Sequence, residues 1–299
     1  MTSRRRGFTL VEMLVALVLV TAVVGVTYAL LVQNQRVSRA QIEHAGLQDN
    51  VRTGALVVAN ELREIGYDSI PVSSGLAVSP SVSPDLLVML SGRLEYKAMR
   101  GIGFTCTAPT ASELRLQRTT VLGARQPQAG DSVTAHVESD SATATDDAWV
   151  HAVITSVGNG VCAGGSPAVS LQVAYSGAVG ALAPAKMSVG GPVRYFEVME
   201  LRYYKSGGKS WLGSRSVSAG GVIEPMLGPL ADSTAGVRGL TFTYLDRNGA
   251  PAVLPNDVRE IAWTLKGVTG GAVRNAGTAA LAVDSLALST SVALRNTLR

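Results

Sequence analysis

From Phe8 to Val32 the chain is apolar at almost every position, and Glu12 is its only charge. Those 25 residues in an α-helix would rise roughly 37 Å, enough to cross a hydrocarbon layer of about 30 Å. From Gln33 the pattern changes. Polar residues interleave with apolar ones, and no proline occurs before Pro71. Leu47, Val51, Ala55, Val58, Leu62 and Ile65 recur at steps of three and four, which is one face of a helix. Asp49, Arg52, Asn60, Arg63 and Glu64 fall on the opposite face, and Gly66 and Pro71 supply a stop. The pattern predicts one helix with a membrane-spanning half over 8–32 and an amphipathic half over 33–66. The apolar stripe of the second half requires a surface to cover.

Beyond Pro71 the period shortens. Leu86 to Ser91 is a compact apolar run, and Glu113 to Val121 alternates with the period of a half-buried strand. Ser132 to Glu138 and Trp149 to Val157 read as two further strands, joined by the small, acidic loop Ser139 to Asp147. Val169 to Tyr175 follows a Gly-rich turn. Together these predict an inserted β-subdomain over about 114–175, and Ala178 to Pro192 reads as a connector. Val193 to Lys205 and Ser210 to Val217 form a hairpin around Ser206-Gly207-Gly208. Val237 to Asp246 and Asp257 to Lys266 form another pair around Arg247-Asn248-Gly249, whose Asn-Gly step is a strong turn signal. The predicted fold class is α+β. A long N-terminal helix packs on an antiparallel sheet built mainly from the C-terminal third, with a β-rich lobe inserted into a globular part spanning 67–299.

The helix entrance narrows the chemistry. Arg4-Arg5-Arg6 precede Gly7-Phe8-Thr9-Leu10-Val11-Glu12-Met13-Leu14. A carboxylate at the bilayer centre costs about 2.5–3.5 kcal/mol and somewhat less near an end, so a cation at the same depth is its natural partner. A secretory signal would carry an uncharged apolar region of about 7–15 residues before a small-x-small site. This run is longer, holds Glu12, and has a poor small-residue site around Ala29. A plain signal anchor explains the length and the basic flank but not Gly7, Phe8 or Glu12.

The segment from Gly7 to Leu14 resembles the processing site of type IV prepilins and type II secretion pseudopilins. The resemblance implies that a membrane-bound prepilin peptidase cuts between Gly7 and Phe8 and removes 1–7 as a cytoplasmic leader. It implies N-methylation of Phe8, and assembly in which Glu12 sits beside the Phe8 amine of a neighbouring subunit. Leu47 to Tyr67, Gly236 to Gly249, Val258 to Leu265 and Val292 to Asn296 are similar to segments of PilW-type minor pilins and of the related J-type pseudopilins. Gly54 and Ala55 stand where many relatives have bulkier residues. The implied function is a structural minor pilin, without enzymatic activity or cofactor, that joins other major and minor pilins through its N-terminal helix. It would sit in the inner membrane with its C-terminal domain in the periplasm, and then prime or cap a cell-surface pilus. The alternatives are a J-type pseudopilin of type II secretion, which is usually shorter, and a pilus-tip adhesin or DNA-binding subunit.

Composition agrees with an exported, β-rich domain: aromatic residues are 5% and charged residues 16%, with small and β-branched residues abundant. The net charge of +4 falls to +1 once Arg4, Arg5 and Arg6 leave with the leader. Lys97 with Arg100 and Arg115 with Arg118 are too thin to argue for a nucleic-acid partner. The leader arginines place everything after about Val32 outside the inner membrane. There Cys106 and Cys162 meet an oxidising compartment. A disulfide between them would close a loop of about 57 residues, worth about 4 kcal/mol in the chain-entropy model. Two buried thiols would show the same spacing.

Other constellations carry no chemistry. His44, His136 and His151 form no zinc spacing with a cysteine. Gly208-Lys209-Ser210 lacks the preceding glycine of a phosphate loop, because position 203 is Tyr203. Asp246-Arg247-Asn248-Gly249 begins like a calcium loop but lacks the closing glutamate, and reads as a turn. Asp140, Asp146 and Asp147 could offer oxygens to calcium but read as solvated loop acids. No G-x-S-x-G elbow occurs, and His136 and His151 have no recognisable nucleophile partner. No catalytic residue, metal site or cofactor is expected.

Overall fold

A computed structural model describes residues 9–65, 84–137, 148–175, 186–232, 238–274 and 281–294. Gly7, Phe8, the stop at Gly66 and Pro71, the loop Ser139 to Asp147 with its three aspartates, and Asn296 lie outside the described residues, as does most of the connector after Ala178. Helix α1 runs unbroken from Leu10 to Arg63. The chain divides into two compact units, one ending at Asp49 and including Val268–Ser285, the other comprising Asn50–Gly267 and the segment from Leu286 onward.

In the second unit, the last turns of α1 pack against a large antiparallel sheet. Val51, Val58, Leu62 and Ile65 are fully buried, and Ala55 nearly so. Ala55, Val58, Leu62 and Ile65 share one core with Leu94, Tyr96, Leu201, Leu212, Leu240, Ile261 and Trp263. The stripe read from the sequence is buried throughout, Leu47 included. On the opposite face Asp49, Arg52, Asn60 and Arg63 are exposed, while Glu64 is half-buried. Tyr96 donates to Glu61 Oε2 at 2.6 Å, and burial together with the Glu61 charge drives the phenol well above its ordinary pKa.

Thirteen strands form one sheet among the described residues. In chain order they include β1 (Leu86–Leu90), β2 (Arg93–Phe104), β3 (Glu113–Gln117), β4 (Leu122–Gly123), β5 (Ser132–Val137), β6 (Ala148–Val161) and β7 (Pro167–Tyr175). Then come β8 (Pro192–Ser206), β9 (Lys209–Ser216), β10 (Glu224–Leu230), β11 (Leu240–Leu245) and β12 (Glu260–Val268). Two further short strands, β13 (Val273–Arg274) and β14 (Leu281–Ala282), pair with each other, and β15 (Ser285–Ala293) pairs with β12.

The organising strand is β8. One edge pairs along its length with β2, from Arg93↔Arg202 to Phe104↔Pro192. The other edge is divided: β9 takes Met199–Ser206 and β5 takes Val193–Phe196. Between them the sheet forks. Val198 finds no strand there, so its carbonyl accepts from Val217 N–H at 2.8 Å and its N–H donates to Ser218 Oγ at 3.2 Å. Backbone groups at a fork must be satisfied locally, because an orphan buried amide is costly. From β9 the sheet continues through β10 and β12 to β11, over the core that α1 covers. From β5 it continues through β6 and β7 to β3. The span 114–175 therefore extends the same sheet, and it encloses a second core of Leu114, Leu116, Val133, Ile154, Leu171 and Tyr195.

Charge is neutralised at the fork. Arg125 grips Asp131 with two bonds of 2.7 and 2.8 Å, and Arg100 Nε donates to Glu197 at 2.7 Å. Burial pushes the Glu197 carboxyl up, but Ser216, Arg100 and Arg125 outweigh it and hold the group below its ordinary value. Three residues on, and so on the opposite face of β8, the fully buried Glu200 is paired with Arg93, Arg202 and Arg215. Cys106, just past β2, is bonded to Cys162 at the end of β6, with their Cα atoms 5.3 Å apart. The bond ties the β2–β3 connection to the β6–β7 turn.

Several boundaries differ from the sequence reading. β3 ends at Gln117 and the chain enters a 3-10 turn over Arg118–Thr120, closed by Thr120 Oγ1 donating to the Gln117 carbonyl. β6 extends to Val161. The β8–β9 hairpin turns on Gly207 and Gly208, both at positive φ of 59° and 72°, the geometry of a two-residue turn that glycine adopts without strain. Asp246 Oδ1 accepts from the N–H groups of Asn248 and Ala250 at 2.8 and 2.9 Å. The side chain thus closes a local turn, and Leu245 bridges to Pro251 before the chain reaches β12.

Where α1 meets the sheet, contact is close. A Cβ built on Gly54 would fall 2.1 Å from Leu227 of β10, and Asn50 Nδ2 donates to the neighbouring Gly228 carbonyl. In the first unit, Gly270 N–H donates to Glu43 Oε2 at 2.8 Å, and His44 Nδ1 lies 3.3 Å from Asp284.

Leu62→Asp should lower stability by several kcal/mol, because it places an unpaired charge in the core. Arg63→Asp, on the exposed face, should cost under about 1 kcal/mol, mainly through the unfavourable helix-end charge. Denaturant titration followed by tryptophan fluorescence would compare them, and equal losses would show that the stripe is not the packing face. Reduction of the Cys106–Cys162 bond should lower stability by up to about 4 kcal/mol. A melting curve unchanged by reductant would contradict that role.

Candidate assembly site at the N-terminus

The helix start is written in Thr9-Leu10-Val11-Glu12. Thr9 Oγ1 accepts from the N–H of Glu12 at 3.3 Å, and the Thr9 carbonyl accepts from Met13 N–H at 3.2 Å. Thr9 is therefore the N-cap, and Glu12 occupies the third helical position, where a capping-box acid belongs. The helix dipole favours a negative charge in this first turn. The backbone places Glu12 on the outside of the helix, and among the described residues no cation pairs with it.

The following turns present nothing but apolar surface. From Leu10 to Leu31 the large side chains are exposed, Leu10 by 76% and Tyr28 by 69%. The best 18-residue window has a mean hydropathy of 2.6, and the helix is long and apolar enough to cross a membrane. Its polar side chains are turned inward on the backbone: Thr21 Oγ1 donates to the Val18 carbonyl at 2.9 Å and Thr27 Oγ1 to the Val23 carbonyl at 2.8 Å. Hydroxyls satisfied in this way need no water, which suits a lipid or helix-bundle environment. Among the described residues the Tyr28 hydroxyl and the Glu12 carboxylate have no such partner, and of the two only Glu12 brings a charge to a surface that excludes water once covered.

Of the residues singled out from the sequence, Gly7 and Phe8 lie outside the described residues. Glu12 is in place in the first helical turn, and Cys106 and Cys162 are joined. Gly208, Lys209 and Ser210 belong to the β8–β9 turn and the start of β9. His136 packs edge-on against Trp149, over whose ring Arg194 lies at 4.5 Å. The cap at Thr9 was not read from the sequence, although the T-x-x-E spacing at the head of an apolar run is its signature.

Residues 2–28 match the family model for the prokaryotic N-terminal methylation motif. Neither the curated proteins nor the solved structures contain a match to the chain. With the apolar helix packed by its far end on a large antiparallel sheet, the motif supports a type IV pilin-like protein, a pilin or pseudopilin.

Proposed function

We propose that this chain is a PilW-like minor pilin that primes or caps a type IV pilus. The reading is carried by Glu12, a carboxylate without a cation partner among the described residues, inside the methylation motif and at the head of an uncovered apolar helix. Cleavage between Gly7 and Phe8 frees an α-amine four residues before it. When apolar helices bundle, the Glu12 carboxylate of one subunit meets the methylated Phe8 amine of the next in a medium of low dielectric. A charge left unpaired there is strongly unfavourable, so the pair selects a single stagger between neighbours.

In this reading residues 1–7 are the leader, 8–32 span the inner membrane before assembly, and 33–66 carry the helix onto the periplasmic domain over 67–299. The strands within 114–175 extend, through β5, the same sheet that α1 covers at its other end. Their separate core supports a role in shaping the exposed end of the subunit. The domain does its work by packing, and Gly7, Phe8 and Glu12 are the residues on which processing and assembly turn.

Mass spectrometry of the membrane-bound form should find a mature N-terminus at Phe8 bearing one methyl group. An intact leader, or a cut near Ala29, would sink the processing assignment. Glu12→Ala should leave cleavage and membrane insertion unchanged and reduce incorporation into filaments at least about tenfold, since the neighbour's amine is left without its counter-charge. Glu12→Gln should behave the same, because charge and not volume is missing. Filaments containing either variant at normal levels would refute the pairing.

A further inference from the structure

The first unit holds a cleft that packing of α1 on the sheet does not explain. Its volume is about 390 Å³, and it lies between Arg36, Arg39 and Glu43 of α1 on one side and Ala272, Val273 and Leu281 around the β13–β14 pair on the other. Glu43 is already engaged by the Gly270 N–H at 2.8 Å. A neutral N–H does not cancel the Glu43 charge, so the helical wall sets two guanidinium groups against one carboxylate, a surplus of one positive charge, and aliphatic side chains form the other wall. Leu281 is 66% exposed although it lines the cleft.

Height along the helix decides what such a cleft could hold. If the hydrocarbon layer ends near Val32, Arg36 stands about 6 Å and Arg39 about 10 Å beyond it at 1.5 Å per residue. The headgroup region on each side of a bilayer is about 5–8 Å deep, so the Arg36 backbone lies within it and that of Arg39 just beyond it, from where its long side chain can reach back. Arginines at the outer end of a span run against the usual retention of positive charge on the cytoplasmic side. Further out, the β13–β14 pair is fastened to the helix by Gly270 to Glu43 and by Asp284 to His44. From these ties Val273 and Leu281 reach back along the helix to the level of the arginines.

We propose that this cleft binds the headgroup of an anionic phospholipid in the outer leaflet of the inner membrane. Arg36 and Arg39 hold the phosphodiester, and Val273 and Leu281 cover the glycerol and the first methylenes. The lipid fixes the depth and the rotation of α1 while the subunit waits in the membrane. The inference rests on reading 8–32 as the membrane span. It assigns to the chain a ligand that the assembly role does not require.

The test uses the full chain reconstituted in vesicles of phosphatidylcholine and in an equimolar mixture of phosphatidylcholine and phosphatidylglycerol. Spin-labelled lipids report which headgroup is immobilised by the protein. Phosphatidylglycerol should be preferred over phosphatidylcholine by about fivefold or more, given the attraction each surface arginine contributes. The double variant Arg36→Gln/Arg39→Gln should bring the preference to parity, and the uncharged Leu281→Asn, with both arginines present, should reduce it several-fold. Excess inorganic phosphate should leave the preference intact. Parity in the native chain overturns the proposal. So does a Leu281→Asn variant that keeps the full preference, which would assign the effect to diffuse surface charge, and so does displacement by inorganic phosphate, which would make this a free-anion site. Flotation of the same preparations separates the two readings. A chain that does not float with vesicles fails as a membrane protein, whereas one that floats without lipid preference fails only here.

Discussion

The apolar first half of α1 is covered by nothing else in the described chain, and this requirement governs the rest of the structure. Burying a large aliphatic side chain is worth about 1.5–3 kcal/mol, and here every such side chain from Leu10 to Leu31 is left exposed. The surface therefore has to be satisfied from outside, by lipid or by the helices of other subunits. Both environments share one property: neither tolerates an uncompensated charge or an unbonded polar group. Thr21 and Thr27 meet that condition within the helix, whereas the Tyr28 hydroxyl and the Glu12 carboxylate do not among the described residues. Of these two, Glu12 carries the charge and marks where a second molecule has to supply chemistry.

The other half of α1 faces the opposite demand and is met by the sheet. Two cores lie toward the two ends of β8, one at Leu201 roofed by the helix and one at Val193 and Tyr195 enclosed by β3, β5, β6 and β7. The fork at Val198 costs little because Ser218 and Val217 complete the backbone bonding, and because Arg100, Arg125, Asp131 and Glu197 neutralise one another beside it. This solution lets a set of strands join an existing sheet without exposing a long unpaired edge at the junction, the feature that otherwise invites intermolecular pairing.

Much of this was legible in the chain, and the illegible parts have definite causes. The α1 stripe could be read because its period holds from Leu47 to Ile65, and the β8–β9 and β11–β12 pairs because Gly207-Gly208 and Asn248-Gly249 punctuate them. β2 escaped notice although it is among the longest strands. Its inward set Leu94, Tyr96 and Ala98 is interrupted by an irregularity between Met99 and Gly101. Gly101 itself is needed because a Cβ there would meet the Tyr195 hydroxyl at 2.1 Å. β10 was hidden by Pro225 and Pro229, which remove ladder donors, and its pairing with β9 is correspondingly irregular. The fork and the Arg36–Leu281 cleft depend on segments distant in sequence, which no local pattern reports. For the cysteines, compartment and loop length favoured a bond, but only geometry distinguishes it from two buried thiols. At the N-terminus the reverse holds: Gly7, Phe8 and Glu12 are recognised by their order in the sequence alone.

Gly54 has a mechanical consequence. With Leu227 filling the space where its side chain would be, and Asn50 bonded one residue further along β10, the helix is seated at a single axial position. A screw step of one residue, a rise of about 1.5 Å with a rotation of roughly 100°, would drive Thr53 or Ala55 against the same leucine. The end of α1 therefore cannot act as a piston in the domain. Tension drawn along its backbone passes into β10 and the core beneath as a whole, leaving the Cys106–Cys162 loop off the direct line of load.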